Sequence, residues 1–269
     1  LNLRNFEHAK YIFVKASIND PILDVLVKDS DCVVNFAAES HVDRSLNSYS
    51  EFVETNINGT LAVLESIKKH DKRLLHVSTD EVYGAAFDES FREESKLNPS
   101  NPYSVTKASA DMFVKMYCDT YGINASITRS SNNYGPYQHP EKFVPSMITK
   151  ALRNERCPVY GDGTQIRDWL HVIDNCKGIY TTLLDGKIGN VYNIGGNNER
   201  TNISVVTEIL KILGKPLSLI EFVKDRLNHD SRYSINCFKA IVELGWRPKV
   251  NFDDGLKQTV DWYINNTNI

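Results

Sequence analysis

Two hydrophobic patterns alternate along the chain. Short runs rich in β-branched residues, YIFVKAS (11–17), CVVNFAA (32–38), RLLHVST (73–79) and NASITRSSN (124–132), are separated by longer segments whose apolar positions recur at helical spacing. Strands covered on both faces read as continuous apolar runs, and their alternation with helices predicts βαβ units in a parallel sheet. Such a sheet holds its ligands beyond the carboxyl ends of its strands.

Two helices are legible in detail. In SYSEFVETNINGTLAVLESIKKH (48–70), Phe52, Val53, Ile57, Leu61, Leu64 and Ile67 share one face, which Asn56 and Gly59 interrupt. Gly59 would let a neighbouring strand come close. A second helix begins at Asn101 and Pro102, a favoured cap followed by a favoured first residue, runs through YSVTKASADMFVKMYCDTY, and stops at Gly122. Past about residue 133 the texture changes to shorter strands (PVYGDGTQ, IRDWLHVID, NVYNIGG), Pro and Gly turns, and helical stretches near 203–213 and 252–265. The expected fold is α/β: a Rossmann-like parallel sheet flanked by helices over 1–133, and a smaller mixed α/β C-terminal lobe over 134–269 with segments returning to the main sheet.

A length of 269 residues with 41% hydrophobic content is enough to bury a sizeable core. The net charge of -3 is small and the basic residues are scattered, which excludes a nucleic-acid footprint. No apolar run reaches the roughly 18 residues of a membrane span, and LNLRNFEHAK (1–10) lacks the apolar region of a secretory signal, so the chain reads as cytosolic with no membrane partner. Cys32, Cys118, Cys157, Cys176 and Cys237 lie far apart, which reads as reduced thiols rather than disulfides. No spacing supports a metal, and His41, His139 and His171 are expected to be hydrogen-bonded structural groups. No GxGxxG turn occurs anywhere, so the chain is expected either to be a fragment or to hold a dinucleotide in an unusual way.

Candidate chemistry centres on STDEVYG and YSVTK. Tyr103 and Lys107, four residues apart, share a helix face, and an ammonium beside a phenol is expected to lower its pKa toward a value useful for proton transfer. Alone, that spacing is common on helix surfaces. Ser78 and Thr79 raise its weight, because they end a buried strand where a parallel sheet displays ligands, and a hydroxyl there can orient a substrate alcohol toward Tyr103. Asp80 and Glu81 follow directly, either as two exposed loop acids or as an acid and a base.

Seven collinear stretches, FAAESHVDRS, ETNINGT, STDEVYG, YSVTK, RSSNNYGPYQHPEKFVP, VYGDGTQIRDWLHV and DRLNHDSRYS, closely resemble the dTDP-glucose 4,6-dehydratases of the extended short-chain dehydrogenase/reductase superfamily. The resemblance begins after that family's first strand, glycine-rich turn and second strand. It implies NAD as cofactor and a nucleoside-diphosphate glucose as substrate, oxidised at C4, dehydrated across C5 and C6, and reduced at C6. Thr79, Asp80, Glu81, Tyr103 and Lys107 would be catalytic: Tyr103 removes the C4 hydroxyl proton with help from Thr79, Glu81 is the base at C5, and Asp80 the acid at the C6 hydroxyl. Like charges held close disfavour double ionisation, which would keep Asp80 protonated.

By the same resemblance NAD contacts fall on Ser17, Ile18, Phe36, Ala37, Ala38, Asn56, Ser78, Tyr103, Lys107 and Ser131. Substrate contacts fall on Ser40, Thr79, Asn132, Lys142, Phe143, Pro158, Tyr160, Arg167, Asn202, Arg226 and His229, with Glu39 also near the sugar. Arg167 and Arg226 suit the diphosphate and Tyr160 a nucleobase. Ser17 stands where the family has an adenine-reaching Asp, which weakens adenine recognition, and DRLNHD replaces Asp-Arg-Pro-Gly-His-Asp. Family members pair as homodimers through helices corresponding to 49–69 and 101–120, and their products feed rhamnose and other deoxysugars. A UDP-glucose dehydratase, a nucleotide-sugar 4-epimerase and a non-catalytic nucleotide-sugar binder are the alternatives; the epimerases resemble this fold but typically lack the acid pair, and GDP-mannose dehydratases usually carry a lone Glu there.

Overall fold

The computed structural model describes residues 11–266; LNLRNFEHAK (1–10) lies outside the described residues. The strands are β1 (Cys32–Asn35), β2 (Arg73–Thr79), β3 (Ala125–Ser130), β4 (Asn132–Tyr134), β5 (Cys157–Tyr160), β6 (Ile166–His171), β7 (Val191–Ile194), β8 (Glu199–Thr201) and β9 (Ile220–Val223). The main sheet is parallel, in the order β1-β2-β3-β7, so all four strands present their carboxyl ends at one edge. At Ser131 the chain passes from β3 into a second sheet, β4-β6-β8, and β5 pairs with β9 beside it.

The helices are α1 (Ile22–Lys28), α2 (Val42–Asn47), α3 (Ser50–Phe52), α4 (Gly59–His70), α5 (Pro102–Tyr121), α6 (Phe143–Leu152), α7 (Val172–Asp185), α8 (Asn202–Ile212), α9 (Phe238–Leu244) and α10 (Phe252–Asn265). On one side of the main sheet, Leu64 and Ile67 of α4 and Val114 and Tyr117 of α5 pack with Leu74, Ala125 and Ile127. Each fully buried aliphatic side chain of this kind contributes about 1.5–3 kcal/mol. A second cluster joins Val82, Tyr83, Leu170, Tyr192, Ile194, Ile235 and Trp246, and a third fills the C-terminal lobe around Tyr134, Ile148, Trp169, Ile209 and Leu256.

Three details differ from the sequence reading. YIFVKAS is not a strand: residues 11–17 have no regular structure, and Ile12 and Phe13 are 84% and 68% exposed. A strand needs a ladder partner for its backbone groups, β1 pairs only with β2, and among the described residues no strand runs beside its other edge. CVVNFAA stops being a strand at Asn35, because the Asn35 side chain accepts the Ala37 N–H (3.1 Å) and turns the backbone out of the sheet. The neighbour that needs Gly59 to lack a side chain is Ile18, whose Cγ2 would lie 2.4 Å from a Cβ there, rather than a strand.

Between α3 and α4 the helix widens to a π turn over Val53–Asn58. Such a turn commonly sits beside a functional site. Here it carries Asn56, whose amide accepts the Glu39 N–H (2.9 Å) and donates to Glu39 O (3.0 Å) and to Thr106 Oγ1 (2.9 Å). One side chain thereby ties the loop after β1 to α5.

Candidate active site

β2 ends on Thr79, whose hydroxyl oxygen accepts the Glu81 N–H (3.3 Å), caps the 3-10 turn Asp80–Tyr83, and donates to Asp80 Oδ1 (3.4 Å). The chain leaves that turn through Gly84 at φ 79°, where a Cβ would strike the Asn98 carbonyl oxygen. Asp80 is 3% exposed, and its Oδ2 has no hydrogen-bond partner. Burial, then the charges of Glu81 and Asp168, push its carboxyl well above the usual range. Burial also raises Glu81, against the charges of Arg167 and Lys142 and a hydrogen bond from Asn101 Nδ2 (3.4 Å).

α5 begins with a capping box: Asn101 Oδ1 accepts the Ser104 N–H (2.9 Å), and Ser104 Oγ accepts the Asn101 N–H (3.1 Å). The box sets the first turn so that Tyr103 meets Thr79, Asp80 and Glu81. The expected acidification of Tyr103 by Lys107 is not found. Burial and the charge of Glu81 raise the phenol, opposed by the Thr79 hydroxyl, while Lys107 Nζ donates to Val77 O (2.8 Å) and lies 3.5 Å from His76 Nε2. Helical spacing puts two side chains on one face, but a buried ammonium goes to the nearest acceptor, and that acceptor belongs to β2. Burial lowers Lys107 to about 8, with the charge of Asp111 opposing.

Beneath Lys107 lies a polar network that sequence reading did not anticipate. Arg129 Nε donates to Asp111 Oδ2 (2.8 Å), Arg129 Nη1 donates to Tyr83 Oη (2.8 Å), and Tyr83 donates to Asn193 (2.9 Å). His76 faces Asp111 at 3.7 Å and the Asn35 amide at 3.3 Å, and burial holds it neutral. The participating strands and helices are distant in sequence, and no local motif marks them.

Ser40, Asn132, Lys142, Phe143, Pro158, Tyr160, Arg167, Asn202, Arg226 and His229 all line one cleft, together with Glu81, Asn101, Asp230 and Tyr233. Thr79 is not on its surface but holds Glu81, which is. Lys142 Nζ donates to Ser40 O (2.7 Å), Phe143 stacks on Trp169, and the Asn132 Oδ1 is buried without a partner. The Arg226 guanidinium covers the Tyr160 ring at 4.8 Å and reaches Asp43 (3.5 Å), and His229 pairs with Asp225 (2.6 Å). Arg167 is more deeply set than a phosphate clamp needs: 7% exposed, it donates to Ile166 O (2.7 Å) and Asp230 O (3.0 Å) and lies 4.2 Å over the Tyr233 ring.

At the neighbouring strand ends Ser78 Oγ is buried with no partner, Phe36 is 62% exposed, and Ala37 and Ala38 follow β1 with only methyl side chains. An orphaned hydroxyl beside small residues fits a dinucleotide. Ser131 Oγ instead accepts the Gly196 N–H (3.3 Å), Asn56 is spent on Glu39 and Thr106, Ile18 packs on Gly59, and Ser17 accepts the Asn19 N–H (3.3 Å) in an exposed turn. His41 and His171 each accept a backbone N–H at a helix start (3.4 Å), and His139 accepts that of Glu141 (3.4 Å). Among the described residues no cluster of His, Cys, Asp or Glu is arranged to hold a metal ion, and no helix is long and apolar enough to cross a membrane.

A parallel sheet that brings a Tyr/Lys helix to the hydroxyl-bearing end of its central strand defines an extended short-chain dehydrogenase/reductase. The family model for GDP-mannose 4,6 dehydratase matches residues 2–259. A dTDP-glucose 4,6-dehydratase of Xanthomonas campestris pv. campestris is 47% identical over 282 residues, covering 96% of this chain and 80% of that one. The low-salt glycan biosynthesis protein Agl12 of Haloferax volcanii is 46% identical over 260 residues, covering 96% and 84%. The crystal structure of DesIV, a dTDP-glucose 4,6-dehydratase of Streptomyces venezuelae with NAD bound, superposes with a TM-score of 0.95 at 44% identity, covering 97% of this chain and 82% of that one. The chain belongs to the GDP-mannose 4,6-dehydratase family of nucleotide-sugar enzymes.

Proposed function

We propose that this protein dehydrates dTDP-glucose to its 4-keto-6-deoxy derivative. The observation that carries the reading is Asp80, buried, pushed toward its protonated form and adjacent to Glu81 at the end of β2, with Tyr103 facing both. A carboxylic acid kept neutral at working pH can give a proton to a leaving hydroxyl. NAD, when bound, supplies the hydride acceptor and donor.

Around it the chain's residues divide the proton work. Tyr103 takes the C4 hydroxyl proton, oriented by Thr79. Because burial and Glu81 hold the phenol protonated, this step needs a positive charge at its oxygen, and Lys107 supplies one by leaving Val77 O. With C4 oxidised, Glu81 removes the C5 proton and Asp80 protonates the C6 hydroxyl, so that water departs; as hydride returns to C6, Glu81 protonates C5, and the proton Tyr103 took from the C4 hydroxyl restores Asp80. Ser40, Asn132, Lys142, Phe143, Pro158, Tyr160, Asn202, Arg226 and His229 hold the nucleotide sugar, while Arg167 steadies the acids by its charge; Ser17, Ile18, Phe36, Ala37, Ala38, Asn56, Ser78 and Ser131 form or support the NAD side. Residues 1–133 act as the cofactor lobe and 134–269 as the nucleotide-sugar lobe.

Exposed apolar residues on the helices near 50–70 and on α5, Val53 at 38%, Val105 at 46% and Met112 at 64%, support a homodimer through those helices. A cytoplasmic site and a product leading to rhamnose or another deoxysugar accompany this reading. Incubation with NAD and dTDP-glucose is expected to give a nucleotide sugar lighter by one water, with a slower reaction on UDP-glucose. Recovery of a C4 epimer without loss of water would replace this reading with an epimerase.

A further inference from the structure

On the proposed reaction, Glu81 holds the proton taken from C5 inside the cleft until C5 is reprotonated, and a route to solvent would let that proton exchange first. Its surroundings offer one continuous route. Tyr233 Oη lies 3.5 Å from Glu81 Oε2 and donates to Asp230 Oδ2 at 2.7 Å; Ser100 Oγ donates to the same Oδ2. Tyr233 is 6% exposed, and Arg167 holds both ends of the route, its guanidinium 4.2 Å over the Tyr233 ring and its Nη2 donating to Asp230 O (3.0 Å). Asp230 lines the cleft.

Asp80, Tyr103, Lys142, Arg167, Asp230 and Tyr233 are the ionisable groups that face Glu81. Of these, Tyr233 alone joins Glu81 to a carboxyl that lines the cleft: Asp80 Oδ2 has no hydrogen-bond partner to carry a proton onward, and Tyr103 is engaged with Thr79. The 3.5 Å contact is long for a hydrogen bond, as catalytic contacts are before substrate closes a site.

We propose that Tyr233 and Asp230 form a proton relay that exchanges the proton of Glu81 with solvent. Protonated Glu81 gives its proton to Tyr233 Oη as the original Tyr233 proton passes to Asp230 Oδ2. Glu81 is left ionised, Tyr233 unchanged, and Asp230 protonated until it gives the proton to water in the cleft; the reverse sequence delivers a solvent proton to C5.

The inference rests on the proposed reaction, and its test separates the two. In deuterated water the wild-type product is expected to carry solvent deuterium at C5, after correction for exchange of the isolated product alone. Tyr233→Phe keeps the ring and loses the hydroxyl; it is expected to slow turnover at least about tenfold and to return the substrate's own hydrogen to C5. A residue with a merely structural role would slow turnover without changing the source of that hydrogen. Equal deuterium in both products, or none in the wild type, overturns the relay.

If the wild type does not convert dTDP-glucose, the reaction fails, and the relay is read without substrate by carbon-13 NMR titration of the Glu81 carboxyl, assigned with Glu81→Gln. Asp230→Asn removes a negative charge from the route and is expected to lower the Glu81 midpoint. An unmoved midpoint overturns the coupling.

Discussion

Two pairs of ionisable residues meet at the end of β2, and they behave differently. Asp80 and Glu81 are neighbours in sequence on a single 3-10 turn, so the charge of Glu81 bears on Asp80 and adds to the burial that raises both carboxyls. Tyr103 and Lys107 are neighbours only by helical spacing, and burial works against the expected partnership: it raises the phenol and sends the ammonium to the Val77 carbonyl. Adjacency along the backbone sets an electrostatic pair. Adjacency on a helix face sets only an opportunity, which the nearest acceptor can take away.

The sharpest test of this contrast is Asp80→Asn. It removes the proton donor and is expected to cut turnover by about 10²-fold or more, yet to stabilise the fold at neutral pH. A carboxyl raised in the folded state is penalised once ionised, so its cost is absent below the unfolded value and grows as pH rises through the folded one. A parallel loss of stability, measured by urea unfolding, would show that the carboxylate is satisfied rather than strained.

Next in size is the network under Lys107. Asp111→Ala leaves the buried Arg129 unpaired and is expected to cost about 3–5 kcal/mol, read as a fall in the denaturation midpoint. Arg129→Met with Asp111→Leu together should recover much of that loss.

The lysine itself is expected to show in the pH dependence. Its folded value of about 8 lies below the ordinary 10.5, so between these values the unfolded chain binds more protons and stability rises with pH. The slope contributed is at most about 1.4 kcal/mol per pH unit. Lys107→Met should remove that contribution above pH 8, and an unchanged profile would place the ammonium in water.

The smallest effect belongs to the cap that aims α5. Asn101→Ala is expected to cost about 1 kcal/mol and, by removing the donor to Glu81, to shift the pH dependence of turnover toward higher values, since that hydrogen bond lowers the Glu81 pKa. Asn101→Asp, which keeps the cap acceptor but not the donor, separates the two contributions by circular dichroism and kinetics.

Much of the architecture was legible because its causes are local. RLLHVST coincides with β2, and Asn101, Pro102 and Gly122 bound α5 as their backbone preferences require. Of the residues the resemblance singled out, Glu81 and the substrate set other than Thr79 line one cleft, Arg167 more deeply than expected, whereas Thr79, Asp80, Tyr103 and Lys107 are not among its lining residues. YIFVKAS has a strand's composition, but strand formation depends on what lies alongside, and composition says nothing of that. Tyr233 and Asp230 stood within a quoted stretch without any role, because nothing local ties them to an acid 152 residues away from the tyrosine.

Sequence alone determined the periods, caps and turns and the unavoidable Asp80–Glu81 pair, since each depends on a few covalently close residues. Tertiary structure decided where Lys107 points, which hydroxyl meets Glu81 and which strand goes unpaired. Those outcomes depend on burial and on the nearest available hydrogen-bond partner, quantities that exist only once distant segments have packed.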